Sequence, residues 1–480
     1  MREERRRDLV IFDFDGVLAD LRLRTESTRR AVRELFASAG VDRPFRPLLR
    51  QLDEALAVVA ERDSAERADE LRRAVWAMID ADEERAARVA ALRPGVHEAL
   101  EALEERPVAI FSNNRRDVVE AVLGRHGVDP SRFVAIVGRD GAASIKPGAD
   151  PILALIAAQE VLPERVYLVG DHVYDMQSAC AVATHLSASE ASARLGASAT
   201  ATPTVIGIGL HTEQARRLSL EEAGASFLAR DLDEALQLIC APRFPLGLSI
   251  VLLAYNEEAA IGPAIEEARR FGRLFLESYE IVVVDDGSND GTAEAIAAAS
   301  GPDLVVLRHA ANMGMGCSMR DGYAAASQPY RAHLPGDRQV RPPSLLPFLP
   351  LCRPRVVVRS HYRQPHADRL RELYSWAFRR LMALVGGLHV DFAGTYVFHL
   401  DLWRAVNPKR TGASTFVYSY ELLEEFRRLG ARFRAVTITP LLREAGVSKV
   451  DSTTRIVRVL RELAQSRIRR LRGALGGADG

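Results

Sequence analysis

Long apolar runs are missing from this 480-residue sequence. The nearest approach to one, Leu381 to Phe398, is broken by Gly386-Gly387, His389 and Asp391. A membrane-spanning helix needs ~20 predominantly apolar residues, so none is expected. Cysteine is scarce as well. Cys180, Cys240, Cys317 and Cys352 stand far apart, with no CxxC pair and no ligand cluster, and read as buried free thiols in a reducing compartment. The N-terminal Met-Arg-Glu-Glu-Arg-Arg-Arg-Asp lacks the apolar segment and cleavage site of a secretory leader. A cytoplasmic location is therefore expected. Net charge is also absent: 64 Lys and Arg balance 64 Asp and Glu, so no global field draws the chain to nucleic acid.

What the sequence does contain is short apolar runs that stop at carboxylates. Hydrophobic residues make up 48% and charged residues 27%, a globular balance. The length exceeds one ordinary core, so two or three domains are expected. Leu9-Val10-Ile11-Phe12 stops at Asp13-Phe14-Asp15-Gly16, and Ile281-Val282-Val283-Val284 stops at Asp285-Asp286-Gly287-Ser288. Such runs read as buried parallel strands. Groups just past the carboxyl ends of such strands sit where open α/β sheets bind ligands. Two sites on two domains, each handling phosphate oxygens with a divalent metal, are the expectation.

In the first half, Thr25 to Ala90 is rich in Ala, Leu, Glu and Arg. Leu48, Leu49, Leu52, Leu56 and Val59, and then Leu71, Val75 and Met78, fall at helical spacing. This is a helical insert over the first strand, its arginines mainly solvated. Further strands also end in polar groups: Pro107 to Phe111 before Ser112-Asn113-Asn114, Ala135 to Gly138 ahead of a loop with Lys146-Pro147, and Arg165 to Val169 before Gly170-Asp171-His172-Val173-Tyr174-Asp175. The set supports phosphoryl chemistry. Asp13 can attack phosphorus, and Asp15 can protonate the leaving oxygen and then activate water. Ser112 can bond a phosphoryl oxygen, and Lys146 can neutralise charge. Asp171, with Asp13 and the Asp15 carbonyl, can hold magnesium, supported by Asp175.

These four motifs, in order and each after a strand, resemble the haloacid dehalogenase superfamily over about residues 8 to 240. The insert, about residues 22–92, is similar to the helical cap of its phosphoglycolate phosphatase-like subgroup. The resemblance implies a Rossmann-like core with a helical cap. It also implies magnesium-dependent hydrolysis of a phosphorylated small molecule, such as a sugar phosphate, through an aspartyl-phosphate, with Asn113 beside the phosphate. One departure is Ser187 to Pro203, rich in Ala, Ser and Thr, which reads as a flexible surface insertion before the strand Thr204 to Gly209.

Ala241-Pro242-Arg243-Phe244-Pro245-Leu246-Gly247 reads as a linker, and a new strand is expected over Leu248 to Leu253. Asp286 can accept hydrogen bonds from a base or ribose, and the glycines of Asn312-Met313-Gly314-Met315-Gly316 let backbone approach a diphosphate at a helix start. With Tyr255-Asn256-Glu257, these segments resemble the inverting family 2 glycosyltransferases of GT-A fold, over residues 248–452. The closest subgroup is the polyprenyl-phosphate sugar transferases. The resemblance implies a nucleoside diphosphate sugar at Ala254, Tyr255, Glu257, Asp286, Gly314 and Asp337, and acceptor and donor phosphates near Arg371, Ser375, Arg443, Ser448 and Lys449. The family's Asp-x-Asp-x-Gln metal motif reads Pro335-Gly336-Asp337-Arg338-Gln339 here. Asp337 and Gln339 remain to ligate magnesium or manganese; the first carboxylate is missing. His361 stands where the subgroup places arginine, with Arg359 or Arg363 as substitutes.

No general base stands out in this half. A polyprenyl phosphate acceptor needs none, because its oxygen is already ionised. Residues 453–480 carry Val457, Leu460, Ala464, Ile468 and Leu471 on one stripe amid arginines. That fits peripheral contact with the inner face of a membrane, or a helix docked on its own domain. The whole chain is expected to be α/β, with two doubly wound domains, residues 1–240 and 248–452. It reads as a bifunctional enzyme of glycoconjugate synthesis. The alternatives are a phosphatase with a nucleotide-sugar-binding regulatory domain, or a transferase acting on a soluble acceptor.

Overall fold

The computed structural model describes residues 8–46, 48–141, 144–188, 202–211, 213–362, 394–441 and 461–469. It divides into two compact units, Met1–Cys240 and Ala241–Gly480.

The first unit is built on a six-stranded parallel sheet. Its strands are β1 (Asp8–Phe12), β4 (Val108–Phe111), β5 (Ala135–Val137), β6 (Arg165–Gly170), β7 (Thr204–Leu210) and β8 (Phe227–Ala229), in the order β5-β4-β1-β6-β7-β8. β1 lies between β4 and β6, with Phe12 opposite Ile110 and Val169. Leu9 to Phe12 are wholly buried, because helices cover both faces of a parallel sheet. Burying each such side chain contributes about 1.5–3 kcal/mol. The insert is helical, as its spacing predicts: α1 (Thr25–Ser38), α2 (Leu48–Arg62) and α3 (Ala65–Val89). Leu52, Leu56, Val59, Leu71 and Val75 form its own core with Phe36 and Phe45. A small ribbon, β2 (Ala19–Asp20) against β3 (Ala91–Leu92), joins insert to sheet. Residues 189–201, the heart of the Ser187 to Pro203 segment, lie outside the described residues.

The second unit carries a seven-stranded sheet. The strands are β9 (Phe244–Ala254), β10 (Leu276–Asp285), β11 (Leu304–Arg308), β12 (Tyr330–Pro335), β13 (Val356–Tyr362), β14 (Tyr396–His399) and β15 (Arg432–Ile438), in the order β11-β10-β9-β12-β14-β13-β15. The sheet is mixed: β14 runs antiparallel to both β12 and β13. β9 opens at Phe244, four residues ahead of the expected Leu248. Phe244 pairs with Leu276 and Gly247 with Ser278 across a bulge, and Pro245 is tolerated so near a strand start. The connection therefore shrinks to Ala241–Arg243.

Residues 461–469 are helical and depart from the expected stripe. Leu463 is wholly buried, while Ala464 is exposed and Ile468 is 48% exposed. Val457, Leu460 and Leu471 lie outside the described residues. The cysteines also differ from expectation: all four are free, but Cys352 alone is buried and Cys180 is exposed. Among the described residues, no helix is long and apolar enough to cross a membrane.

Candidate active sites

In the first unit the polar groups gather at the carboxyl edge of the sheet. Asp13 follows β1, Ser112 follows β4, and Asp171 follows β6. The Asp13 N–H donates to Val169 O at 2.8 Å, which holds the chain at the sheet edge. Lys146 Nζ stands 2.5 Å from Asp13 Oδ1 and 2.6 Å from Asp175 Oδ1. All three side chains are buried. Asp175 also accepts from the His172 N–H at 3.0 Å, capping α4 (Val173–Ser187). Asp13, Asp171 and Asp175 offer oxygens within 4.8 Å of one another. Arg216 Nη2 lies 2.9 Å from Asp171 Oδ2.

Asp15 stands outside that trio. It is half-buried, and its Oδ1 accepts from the Leu21 N–H at 2.9 Å. Asn113 Oδ1 accepts from the Lys146 N–H at 3.0 Å, so it ties the lysine loop to the serine loop. Burial raises the Asp13 carboxyl above the usual range, against the pull of Lys146. Burial also pushes Asp171 up to about 6, with Arg216 opposing, and raises Asp15. Carboxylates crowded into a dry site are relieved by a cation. An all-oxygen donor set of this kind fits a hard divalent ion such as magnesium. The turn at Gly16 has φ +84°, and a Cβ there would fall 2.1 Å from Asp171 Oδ2, so a residue without a side chain is required.

Three residues near this site carried no sequence signal. Glu83 and Asp80, one turn apart on α3, meet Arg139 just after β5. Arg216 belongs to the polar helix Gln214–Glu222, where nothing local marks it. Only Arg139 had a usable cue, its place two residues past a strand end.

In the second unit, β10, β9 and β12 are neighbours, and their ends carry the expected nucleotide-sugar residues. The Asp286 N–H donates to Ala254 O at 2.9 Å, and the Gly336 N–H to Leu253 O at 2.8 Å. Asp286, Ala254 and Asp337 thus occupy one sheet edge. The loops after β9 and β10 are laced together: Asn256 N–H to Ser288 Oγ at 2.9 Å, and Glu257 N–H to Thr292 Oγ1 at 2.8 Å. Tyr255 and Glu257 are half-buried. Gly287, at φ +72°, lets a third loop in, because a Cβ there would meet the Ala311 backbone at 2.5 Å.

Asp286 is already engaged. It accepts from the Met313 N–H at 2.9 Å, from the Gly314 N–H at 2.8 Å, and faces His309 Nδ1 at 2.7 Å. His309 Nε2 lies 3.1 Å from Asp321. A carboxylate has about four acceptor positions, so roughly one remains for a ligand. Gly314 precedes α5 (Met315–Ala325). Asp337 is buried and accepts from the Gln339 N–H at 3.1 Å. Arg338 turns away from that edge toward buried Glu267, with φ +59°. Among the described residues, no trio of acidic, histidine or cysteine ligands surrounds Asp337. Arg359 sits on β13, and two of its guanidinium nitrogens are buried with no hydrogen-bond partner among the described residues. Arg363, Arg371, Ser375, Arg443, Ser448 and Lys449 lie outside the described residues.

Residues 10–188 match the haloacid dehalogenase-like hydrolase family, and residues 249–399 match glycosyl transferase family 2. The chain is 26% identical over 230 residues to a dodecaprenyl-phosphate galacturonate synthase of Rhizobium johnstonii, covering 44% of this chain and 64% of that protein. It is 32% identical over 105 residues to an undecaprenyl-phosphate 4-deoxy-4-formamido-L-arabinose transferase of Yersinia pestis, covering 21% of this chain and 32% of that protein. The chain thus spans less than two thirds of either relative. Among solved structures, it is similar to a haloacid dehalogenase-like hydrolase from Streptococcus pneumoniae: TM-score 0.30, 18% identity, 48% of this chain and 96% of that one. It is also similar to mannosyl-3-phosphoglycerate synthase from Rubrobacter xylanophilus: TM-score 0.35, 22% identity, 48% of this chain and 75% of that one.

Proposed function

From a chain that joins a haloacid dehalogenase-like hydrolase domain to a family 2 glycosyltransferase domain, we propose a two-site enzyme of glycoconjugate synthesis. The first site hydrolyses a phosphomonoester, with a sugar phosphate as the substrate class. The observation that carries this is the buried Lys146 ammonium placed between Asp13 and Asp175, beside Asp171. Asp13 attacks phosphorus and becomes the aspartyl-phosphate. Asp15 protonates the leaving oxygen, then takes a proton from the attacking water. Ser112 bonds a phosphoryl oxygen, and Lys146 balances the charge of Asp13 and its phosphoryl group. Asp13, Asp171 and the Asp15 carbonyl would hold magnesium, with Asp175 supporting them. The ion would stabilise charge on the phosphoryl oxygens.

The second site transfers a sugar, with inversion, from a nucleoside diphosphate sugar to polyprenyl phosphate. Asp286 and the loops it ties down receive the nucleotide. Asp337 and Gln339 would hold magnesium or manganese; one or two carboxylates suffice when substrate phosphates supply further ligands. Arg359 offers buried guanidinium nitrogens to a phosphate. A lipid-linked acceptor would put the protein in the cytoplasm, peripheral on the inner face of the membrane, with the exposed Arg461 and Arg467 as the contact.

The missing first carboxylate at Pro335 favours a second reading, in which this half binds a nucleotide sugar without transferring it. The test is the Asp13→Asn chain, assayed for phosphomonoester hydrolysis and for nucleoside diphosphate release with and without polyprenyl phosphate. Hydrolysis should vanish while nucleotide release persists. Equal loss of both activities sinks the two-site proposal, and donor binding without release supports the second reading.

A further inference from the structure

Glu83 is a buried carboxylate, 2% exposed, that the steps above do not use. It belongs to α3, the insert helix that returns to the sheet. Arg139 Nη1 donates to both of its oxygens at 2.6 Å. Asn114 Nδ2 donates to Oε1 at 3.1 Å, and the Arg115 N–H to Oε2 at 3.3 Å. Arg139 also pairs with Asp80 and lies 5.2 Å above the Trp76 ring, both on α3. The helix therefore grips the turn after β4 through one charged knot.

The direction of these bonds has a chemical consequence. An ionised carboxylate only accepts hydrogen bonds. Asn114 must therefore turn its NH₂ toward Glu83, which leaves its oxygen facing Ser112. The Ser112 hydroxyl donates to that oxygen at 2.9 Å, and the Asn114 N–H donates back to Ser112 Oγ at 3.2 Å. Both bonds constrain the serine rotamer; the one hydroxyl proton turns from Asn114 Oδ1 to the phosphoryl oxygen when phosphate binds, with the Asn114 N–H still on Oγ. We propose that Glu83 is a positioning residue: from the insert helix, through Asn114, it holds Ser112 where a phosphoryl oxygen arrives. Phosphate binding is thereby made dependent on the seating of the cap. This rests on the phosphatase reading of the first site.

The test uses the full chain with magnesium, p-nitrophenyl phosphate as substrate and inorganic phosphate as competing ligand. Glu83→Gln keeps the shape but removes an acceptor, which releases the Asn114 orientation. It should lower kcat/KM about tenfold and raise the phosphate inhibition constant by a similar factor. Asp80→Asn is the structural control. It takes a partner from Arg139 without touching Asn114, so it should lower the melting temperature and leave kcat/KM unchanged. Glu83→Gln combined with Asn114→Ala should be no worse than Asn114→Ala alone, because both act through one link. The inference is overturned if Glu83→Gln behaves like Asp80→Asn, or if the two losses simply multiply. Should Glu83→Gln not fold, Asn114→Ala decides alone, and undiminished kcat/KM overturns the inference. A wild-type chain as inert as Asp13→Asn removes the phosphatase reading itself, and this inference with it.

Discussion

Lys146 is the residue on which the first site's electrostatics turn. Its ammonium lies between two buried carboxylates, Asp13 and Asp175. Removing one partner of a buried ion pair leaves uncompensated charge, at a cost of about 3–5 kcal/mol. Lys146→Met should therefore abolish phosphomonoester hydrolysis and destabilise the first unit by roughly that amount. Denaturant titration with a parallel activity assay checks both. Loss of activity at unchanged stability would mean that the lysine is not buried between the two acids. Asp13, Ser112 and Asp171 were legible in the sequence because each follows an apolar run, and a strand's end is a position that pattern alone reveals. Glu83, Arg216 and His309 were not. Their neighbours come from distant segments, and nothing local distinguishes a gripping glutamate on a helix from a solvated one.

The tail helix shows how far periodicity can carry an element. The spacing of Ala464 and Ile468 pointed to one face, yet the helix docks by another. Glu462 accepts from the Ser414 and Thr415 hydroxyls, each at 2.6 Å, and from their backbone N–H groups, each at 3.2 Å. Arg469 pairs with buried Glu421 at 2.6 Å. Polar anchoring on both sides of Leu463 sets the register, and an apolar count cannot see it. Leu463→Ala should then destabilise the second unit by about 2–4 kcal/mol. Ile468→Ala should stay within about 0.5 kcal/mol. Urea melts of the two variants decide, and the reverse ranking restores the original stripe. The strands divide in the same way. β1, β6, β9 and β10 announced themselves as continuous apolar runs, the mark of strands buried on both faces. β15, Arg432–Ile438, opens with two arginines alternating with apolar residues and is largely exposed. Its partner β13 lies some 75 residues upstream, so only tertiary pairing defines it.

At the scale of the whole molecule, the two units should respond to acid in opposite directions. In the first unit, burial pushes Asp8 up to about 6, against the pull of Arg106 and Arg165. Its ordinary value is 3.8. Between those two values the folded unit keeps a proton that the unfolded chain has released, so stability falls as pH rises across the window. In the second unit, burial holds His333 down to about 3, from 6.5. Its Nδ1 lies 2.7 Å from the Tyr323 hydroxyl oxygen. Below about pH 6.5 the unfolded chain takes up a proton that the folded unit refuses, so stability falls as pH drops. From pH 7.5 to 5, each group shifts its own unit by about 1–2 kcal/mol, with opposite signs. Hydrogen exchange, corrected for intrinsic rates, can follow both units in one intact chain. Peptides from β1 and β6 should gain protection relative to those from β12 and β14 on acidification. Replacing Asp8 with Asn should reduce the gain in the first unit, where burial also raises Asp171 to about 6, and leave the second unit's loss in place. Loss of protection in the first unit as well would show that Asp8 does not govern that unit's response to acid, and protection kept in the second unit would show the same of His333.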